Sequence, residues 1–270
     1  MTESTVQGET ALAFTTDDRI FLGEGLFETL KVEKGIPCYA YAHWQRLSDS
    51  AQQLGIHFEI SYEDWLHRLL ETIKLDNLQD GGIKAILSGG SAPRGLTTQG
   101  RNSQLMLQTF TYGAHTKPLR LISSSWLRDA LNPVYRVKSV NYLEAILARR
   151  EALSLGADDA LFFNLHHHAT ETTCANLFLI HNQCVLTPPL EDGVLPGITR
   201  SRVFKSAEQH QICCMEVSLT KERIITADAV FVTNALQGIQ PVCSLDGVSF
   251  AVNNPLIKHL KCALGEASSV

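Results

Sequence analysis

RVKSVNYLEAILARREALSLGADDALFFNLHHHATETTCAN (residues 136–176) is the stretch on which the reading of this chain turns. Leu143, Ile146, Leu147 and Leu153 recur at helical spacing and predict a helix with one apolar face. Asn141 is placed to cap its start, with Glu144 three residues on, and Gly156 is placed to stop it. Lys138 therefore falls just ahead of a helix, at a strand end. ALFFN (160–164) reads as a strand and residues 175–180 as a short buried one, with Glu171 between them. His166, His167 and His168 form a polar turn; as consecutive residues they alternate faces and do not converge on one ion, so no metal site is expected. Taken alone, Lys138 and Glu171 read as a solvated lysine and a strand-end glutamate.

Composition narrows the class. With 270 residues the chain suits one or two domains and buries a substantial core. Twenty-three basic residues against 28 acidic ones, a net charge of −5, give no sign of a nucleic-acid or membrane-surface partner. No apolar run reaches the roughly 18 residues of a membrane helix. The opening MTESTVQGET lacks the basic and apolar regions of a signal peptide. The seven cysteines include no Cys-x-x-Cys pair, which points to a reduced cytoplasm and free buried thiols.

Outward from the lysine, residues 26–33 read as a strand with Leu26, Leu30 and Val32 on one face. Glu28 shares that face, which marks either a pocket or a wet strand end. A turn at 33–35 leads to a second strand over 36–41. Trp44, Leu47, Ala51 and Leu54 then predict a helix stopped at Gly55, with Arg46 at the edge of its stripe. A second helix follows Ser61, with Asp64 completing a capping pair. The strand 83–88 runs into GGSAPRG (89–95), a connection bearing Arg94. Residues 113–118 are the best linker. They divide the chain into a small N-terminal α/β domain (1–112) and a larger C-terminal domain (119–270). In the second part, Gly197-Ile198-Thr199 opens a helix to about residue 210. Free N–H groups at a helix start bind anions, and a glycine there lets the backbone approach a ligand. Thr199 is an N-cap, an anion ligand, or both. A buried strand over 229–232 ends in Thr233 and Asn234.

These features, in this order, resemble one family. K-x-x-N-x-L-E from Lys138, T-E-x-x-x-x-N-L-F from Thr170, GVLPGITR (193–200) and H-x-x-R-L from His43 are similar to the motifs of the fold-type IV enzymes that use pyridoxal 5′-phosphate. The family includes branched-chain and D-amino acid aminotransferases and 4-amino-4-deoxychorismate lyases. The resemblance spans residues 18–242; the first 17 residues are not matched, and the family's opening Asn-Gly strand is hard to find. It implies an α+β, D-amino acid aminotransferase-like fold whose larger domain has a β-barrel-like core. It implies that Lys138 is the Schiff-base lysine and Glu171 the partner of the cofactor's pyridine nitrogen. Arg46, Gly197, Ile198, Thr199, Thr233 and Asn234 become phosphate-binding candidates. Arg94 matches an arginine directed at the substrate carboxylate, and Glu28 is a further substrate-binding candidate. Both chemical roles make physical sense. An imine-forming lysine must be partly neutral, and an acid beside a pyridine nitrogen favours its protonated form.

Within the family, Asn-Ala-Leu (234–236), Gln-Pro-Val (240–242) and G-G-x-x-x-R-G resemble the lyase branch. Leu96 stands where D-amino acid aminotransferases place a histidine. The expectation is therefore a cytoplasmic, homodimeric lyase making 4-aminobenzoate and pyruvate for folate biosynthesis, linked to an aminodeoxychorismate synthase. Lys138 would be the general base and Thr29 a candidate acid. A branched-chain or D-amino acid aminotransferase is the alternative, and a non-enzymatic cofactor-binding or structural protein a third reading.

Overall fold

The computed structural model describes residues 15–113 and 117–266. Two sheets divide the work of positioning the site. The first contains β1 (Gly25–Glu33), β2 (Ile36–Pro37), β3 (Gly81–Ser88) and β4 (Leu105–Phe110), in the order β2-β1-β3-β4. Its pairings are antiparallel. Helices α1 (Ala40–Leu54) and α2 (Tyr62–Leu75) pack on one face, where Leu26, Leu30, Val32, Leu47, Trp65, Leu69 and Ile83 form a core. Alternation along β1 sends Leu26, Glu28, Leu30 and Val32 to this core and Phe27 and Thr29 to the other side.

The second sheet contains β5 (Leu119–Arg128), β6 (Asp159–Asn164), β7 (Ala169–Thr172), β8 (Asn176–His181), β9 (Cys184–Thr187), β10 (Cys214–Glu216), β11 (Ala229–Asn234), β12 (Gly238–Leu245) and β13 (Val248–Ser249). Six of its strands close a barrel, because β7 pairs β8 and completes the ring β8-β11-β12-β5-β6-β7. The ring is filled by side chains such as Leu121, Leu161, Leu177, Val230 and Val242. Outside it lie α3 (Leu143–Ser154), α4 (Ile198–Gln209), the short α5 (Lys221–Ile225) and α6 (Pro255–Glu266). The expected linker at 113–118 lies between the two sheets, and its residues 114–116 are outside the described set.

Three expectations change. The second strand ends at Pro37, and Tyr41 belongs to α1. Asn141 does not cap α3; its amide donates to Gly23 O (2.9 Å) and Ser139 Oγ (3.1 Å), and Tyr142 occupies the cap position. Gly156 does end the helix, with φ +77°. The leucine stripe of α3 faces away from the core. Leu143 is 67% exposed and Leu153 59%, whereas Ala145, Ala148 and Ala152 are buried. Ala148 and Ala152 pack on Ala160 and Phe162 of β6, a close approach that leucines would obstruct.

The cysteines also differ from expectation. Cys184 and Cys213 form a disulfide that joins β9 to the start of β10, leaving Cys38, Cys174, Cys214, Cys243 and Cys262 as free thiols. Thiol titration of denatured, unreduced protein is expected to count five groups, rising to seven after reduction. Seven before reduction would show the bond absent in solution.

Candidate active site

Lys138 is placed by backbone pairing and not by a helix. Its carbonyl accepts from Phe27 N–H (2.9 Å), Val140 N–H donates to Gly25 O (3.0 Å), and Ser139 bridges Leu26. The lysine segment thus lies along β1, against the face that carries Phe27 and Thr29. Lys138 Nζ sits 4.4 Å from the Phe27 ring centroid and donates to Tyr142 Oη at 3.1 Å. Tyr142 in turn packs edge-on against Phe27.

Glu171 reaches the same place from the barrel. It sits on β7 opposite Asn176, the first residue of β8. One carboxylate oxygen accepts from Leu195 N–H (3.2 Å) and Asn176 Nδ2 (3.4 Å), and the other accepts from Arg128 Nη1 (3.3 Å). Burial pushes this carboxyl above the ordinary range, and the nearby Arg128 only partly offsets it.

Between these residues lies a cavity of about 220 Å³ lined by Phe27, Thr29, Arg46, Lys138, Glu171, Gly197, Ile198, Thr199, Thr233 and Asn234, among others. It brings together nine of the eleven residues singled out in the sequence. Helix α4 opens onto it through Gly197, which caps without a side-chain hydrogen bond and so leaves backbone N–H groups free for an anion. A Cβ at Gly197 would come within 1.9 Å of Asn176 Oδ1, so no larger residue fits beside the cradle. Thr233 Oγ1 is buried with no hydrogen-bond partner among the described residues, a hydroxyl waiting for an acceptor. The donor set, an arginine, two threonines and a helix start at one end with a lysine and a glutamate beyond them, fits a phosphorylated pyridine aldehyde.

Two residues do not line the cavity. Glu28 is 1% exposed on the core face of β1, the opposite face from Thr29. There it holds Arg46 through Nε (2.8 Å) and Nη2 (2.6 Å), and lies 2.6 Å from His43 Nδ1. Arg46 Nη1 also donates to Pro196 O (3.0 Å), which links α1 to the α4 turn. Its position in the strand made Glu28 a substrate candidate; the pleat makes it the support of an arginine. Arg94 is exposed in its loop. That loop is clamped by buried Arg19, which donates to Gly95 O (2.6 Å) and Thr98 O (2.7 Å).

Sequence reading passed over Tyr142, Lys84 and Arg128. Tyr142 lies within the lysine motif, and its spacing of four from Lys138 was the available signal. Lys84 pairs with Thr29 across β1 and β3 and so shares its face; its Nζ is 4.8 Å from the Phe27 ring. Burial and the proximity of Lys138 lower its affinity for a proton. An arginine at the end of a strand, such as Arg128, carries no signal at all.

For Glu28, burial raises the carboxyl's proton affinity but Arg46 and His43 outweigh it, and its pKa falls to about 2. A depressed carboxylate stabilises the fold fully above its unfolded value near 4.5 and loses that contribution as pH falls toward 2. His43, lowered chiefly by burial, adds a loss that begins below about 6.5. Urea unfolding of the wild type is expected to lose about 3 kcal/mol from Glu28 between pH 5 and pH 2. Glu28→Gln should lack that slope and be less stable at pH 7 by roughly 3 kcal/mol, because Arg46 is left buried and unpaired. Equal slopes in the two proteins would overturn this account.

The chain is similar to several known proteins. Residues 25–245 match the family model for amino-transferase class IV. A crystal structure of a Legionella pneumophila protein provisionally named 4-amino-4-deoxychorismate lyase is 57% identical, covers 97% of both chains and superposes with a TM-score of 0.94. The 4-amino-4-deoxychorismate lyase of Pseudomonas aeruginosa is 25% identical over 98% of both chains, with a TM-score of 0.86. A Methanocaldococcus jannaschii protein provisionally named branched-chain-amino-acid aminotransferase is 32% identical over 93% of this chain and 88% of its own. The chain therefore belongs to the class IV aminotransferase family, the fold-type IV enzymes whose cofactor is pyridoxal 5′-phosphate.

Proposed function

We propose that this protein is a lyase converting 4-amino-4-deoxychorismate to 4-aminobenzoate and pyruvate in folate biosynthesis. The observation that carries the reading is that Lys138 and Glu171 line one cavity together with the open start of α4. The lyase branch is favoured because the Legionella relative is far more similar in sequence than the aminotransferases.

When bound, pyridoxal phosphate supplies an electron sink in its protonated pyridine ring. Arg46, Thr199, Thr233, Asn234 and the backbone at Gly197 and Ile198, which line the cavity, would hold its phosphate, and Glu171 would favour the protonated ring nitrogen. Lys138 would hold the cofactor at its aldehyde carbon, and its Nζ, when free, would serve as the base for the proton on the substrate's amine-bearing carbon. Lys138, or the Thr29 hydroxyl on the same wall, returns a proton to the departing enolpyruvyl group. Lys84 shares the Thr29 side of the sheet, next to Phe27.

A homodimer belongs to the same reading. Leu143, Ile146, Leu147, Leu153 and Leu155 expose a leucine-rich face of α3, and Phe21 and Leu22 extend it beyond the Gly23–Asn141 contact. Exposed apolar residues grouped on one helix face mark a surface that a second copy would cover. Arg94 is exposed and does not line the cavity of its own chain; it remains a candidate for the substrate carboxylate. The proposal also includes a cytoplasmic location and a synthase that supplies the substrate. No described helix is long and apolar enough to cross a membrane.

Purified protein loaded with cofactor is expected to form 4-aminobenzoate and pyruvate from chorismate when an aminating synthase is supplied. Lys138→Ala should lose the absorbance band of the covalently held cofactor and at least about a hundredfold in rate. A band unchanged in that variant would overturn the lysine assignment. Rapid amino transfer from D-alanine or leucine, with no 4-aminobenzoate, would establish the aminotransferase instead. Leu147→Asp is expected to shift a sedimenting dimer toward monomer; a wild type already monomeric at micromolar concentration would remove the homodimer.

A further inference from the structure

Arg128 closes β5 and is only 5% exposed, yet it does not line the larger cavity. Its guanidinium lies 3.6 Å from the Phe162 ring centroid and 4.7 Å from that of Tyr135. Between these rings it bridges two carboxylates, Glu144 through Nε (2.9 Å) and Glu171 through Nη1 (3.3 Å). Glu144 belongs to α3, which follows the lysine segment, and Tyr135 Oη approaches it at 3.4 Å. One buried cation thus ties the end of β5 to α3 and to the strand carrying Glu171. A smaller cavity of about 40 Å³ separates it from Lys138.

We infer that Arg128 is a positioning residue that keeps Glu171 ionised and aimed, so that the proton shared with the cofactor's ring nitrogen stays on the nitrogen. The inference rests on the reading of Glu171 as that nitrogen's partner. Charged groups near Glu171 are Arg128 from β5, Lys138 from the segment before α3, and more distantly Arg46 from α1. Leu195 N–H and Asn176 Nδ2 are its neutral donors. Without Arg128, a carboxyl already pushed upward by burial loses the first of the influences that lower it. Arg128 bonds directly to the carboxylate and does not itself line the larger cavity. Its removal therefore raises the proton affinity of Glu171 more than that of any base held beyond it. The shared proton then moves toward the carboxylate, and the ring loses electron-withdrawing power. No bond to substrate or cofactor is made by Arg128 itself.

The test uses holoprotein loaded with pyridoxal 5′-phosphate carrying ¹⁵N in the ring, whose NMR resonance reports protonation of that nitrogen directly. Wild-type protein is expected to show the protonated position through neutral pH. Arg128→Gln should move the resonance toward the unprotonated position and lower the apparent pKa of the ring nitrogen by at least about one unit, a tenfold change in the protonation constant. Arg128→Lys, which keeps the cation without the guanidinium fork, should retain the protonated position and so carries the test if Arg128→Gln does not fold. A wild-type resonance in folded Arg128→Gln, or loss of the ring proton in folded Arg128→Lys, would overturn the inference. Glu171→Gln separates the two layers. If it loses the ring proton while Arg128→Gln keeps it, only the role of Arg128 falls; if Glu171→Gln keeps it, both readings fall.

Discussion

The site depends on one backbone pairing. Residues 137–140 have no helix of their own and only a single bridge to a strand, and what holds Lys138 is the edge of β1. Phe27 N–H and Gly25 O, the groups at the start of that strand, take the lysine segment as a short added strand. The contact joins the two sheets of the molecule at the point where their side chains must meet. It also fixes the face: a one-residue slip of this segment along β1 would turn Lys138 to the opposite side. The wall of the cavity, the environment of the amine and the separation of Lys138 from Glu171 all follow from this register.

Two buried carboxylates then show how partner geometry decides charge. Glu28 receives two hydrogen bonds from one guanidinium and a third contact from His43, and pairing outweighs burial. Glu171 meets Arg128 through a single nitrogen, the rest of that guanidinium being committed to Glu144 and to the Phe162 and Tyr135 rings, and burial prevails. The first carboxylate fixes an arginine on the cavity wall; the second keeps a raised proton affinity that Arg128 only partly offsets. Each arginine ties together elements distant in sequence, as Arg46 does between α1 and the turn before α4.

The outer surface follows the same economy. Small residues of α3 pack against β6, which leaves its large apolar residues outside. A helix with alanine on its inner face makes close contact with a sheet and keeps its leucines for another surface. Loop 89–98 is held by Arg19 through its carbonyls, so an exposed segment keeps a defined shape without a core of its own. Such restraint suits a loop that has to present a side chain to a ligand or a partner chain.

Much was legible in the order of residues alone. The periods of the strands and helices, the glycine stops at Gly55 and Gly156, and the four motifs around His43, Lys138, Glu171 and Gly197 identified the family. They also named nine of the residues that the cavity collects. These are local features, set by spacing, turn chemistry and side-chain type. What the chain order could not decide was which way each element faces. Periodicity found the stripe on α3 but not that it points outward. It placed Glu28 on a strand face without showing that the face was the core. It had no means of linking Arg128 to Glu171 across 43 positions, or Cys184 to Cys213 across 29. Hydrophobic spacing and backbone preference act over a few residues and are written in the sequence. Facing, register between distant strands and the balance between burial and ion pairing exist only once the two sheets have closed around a common cavity.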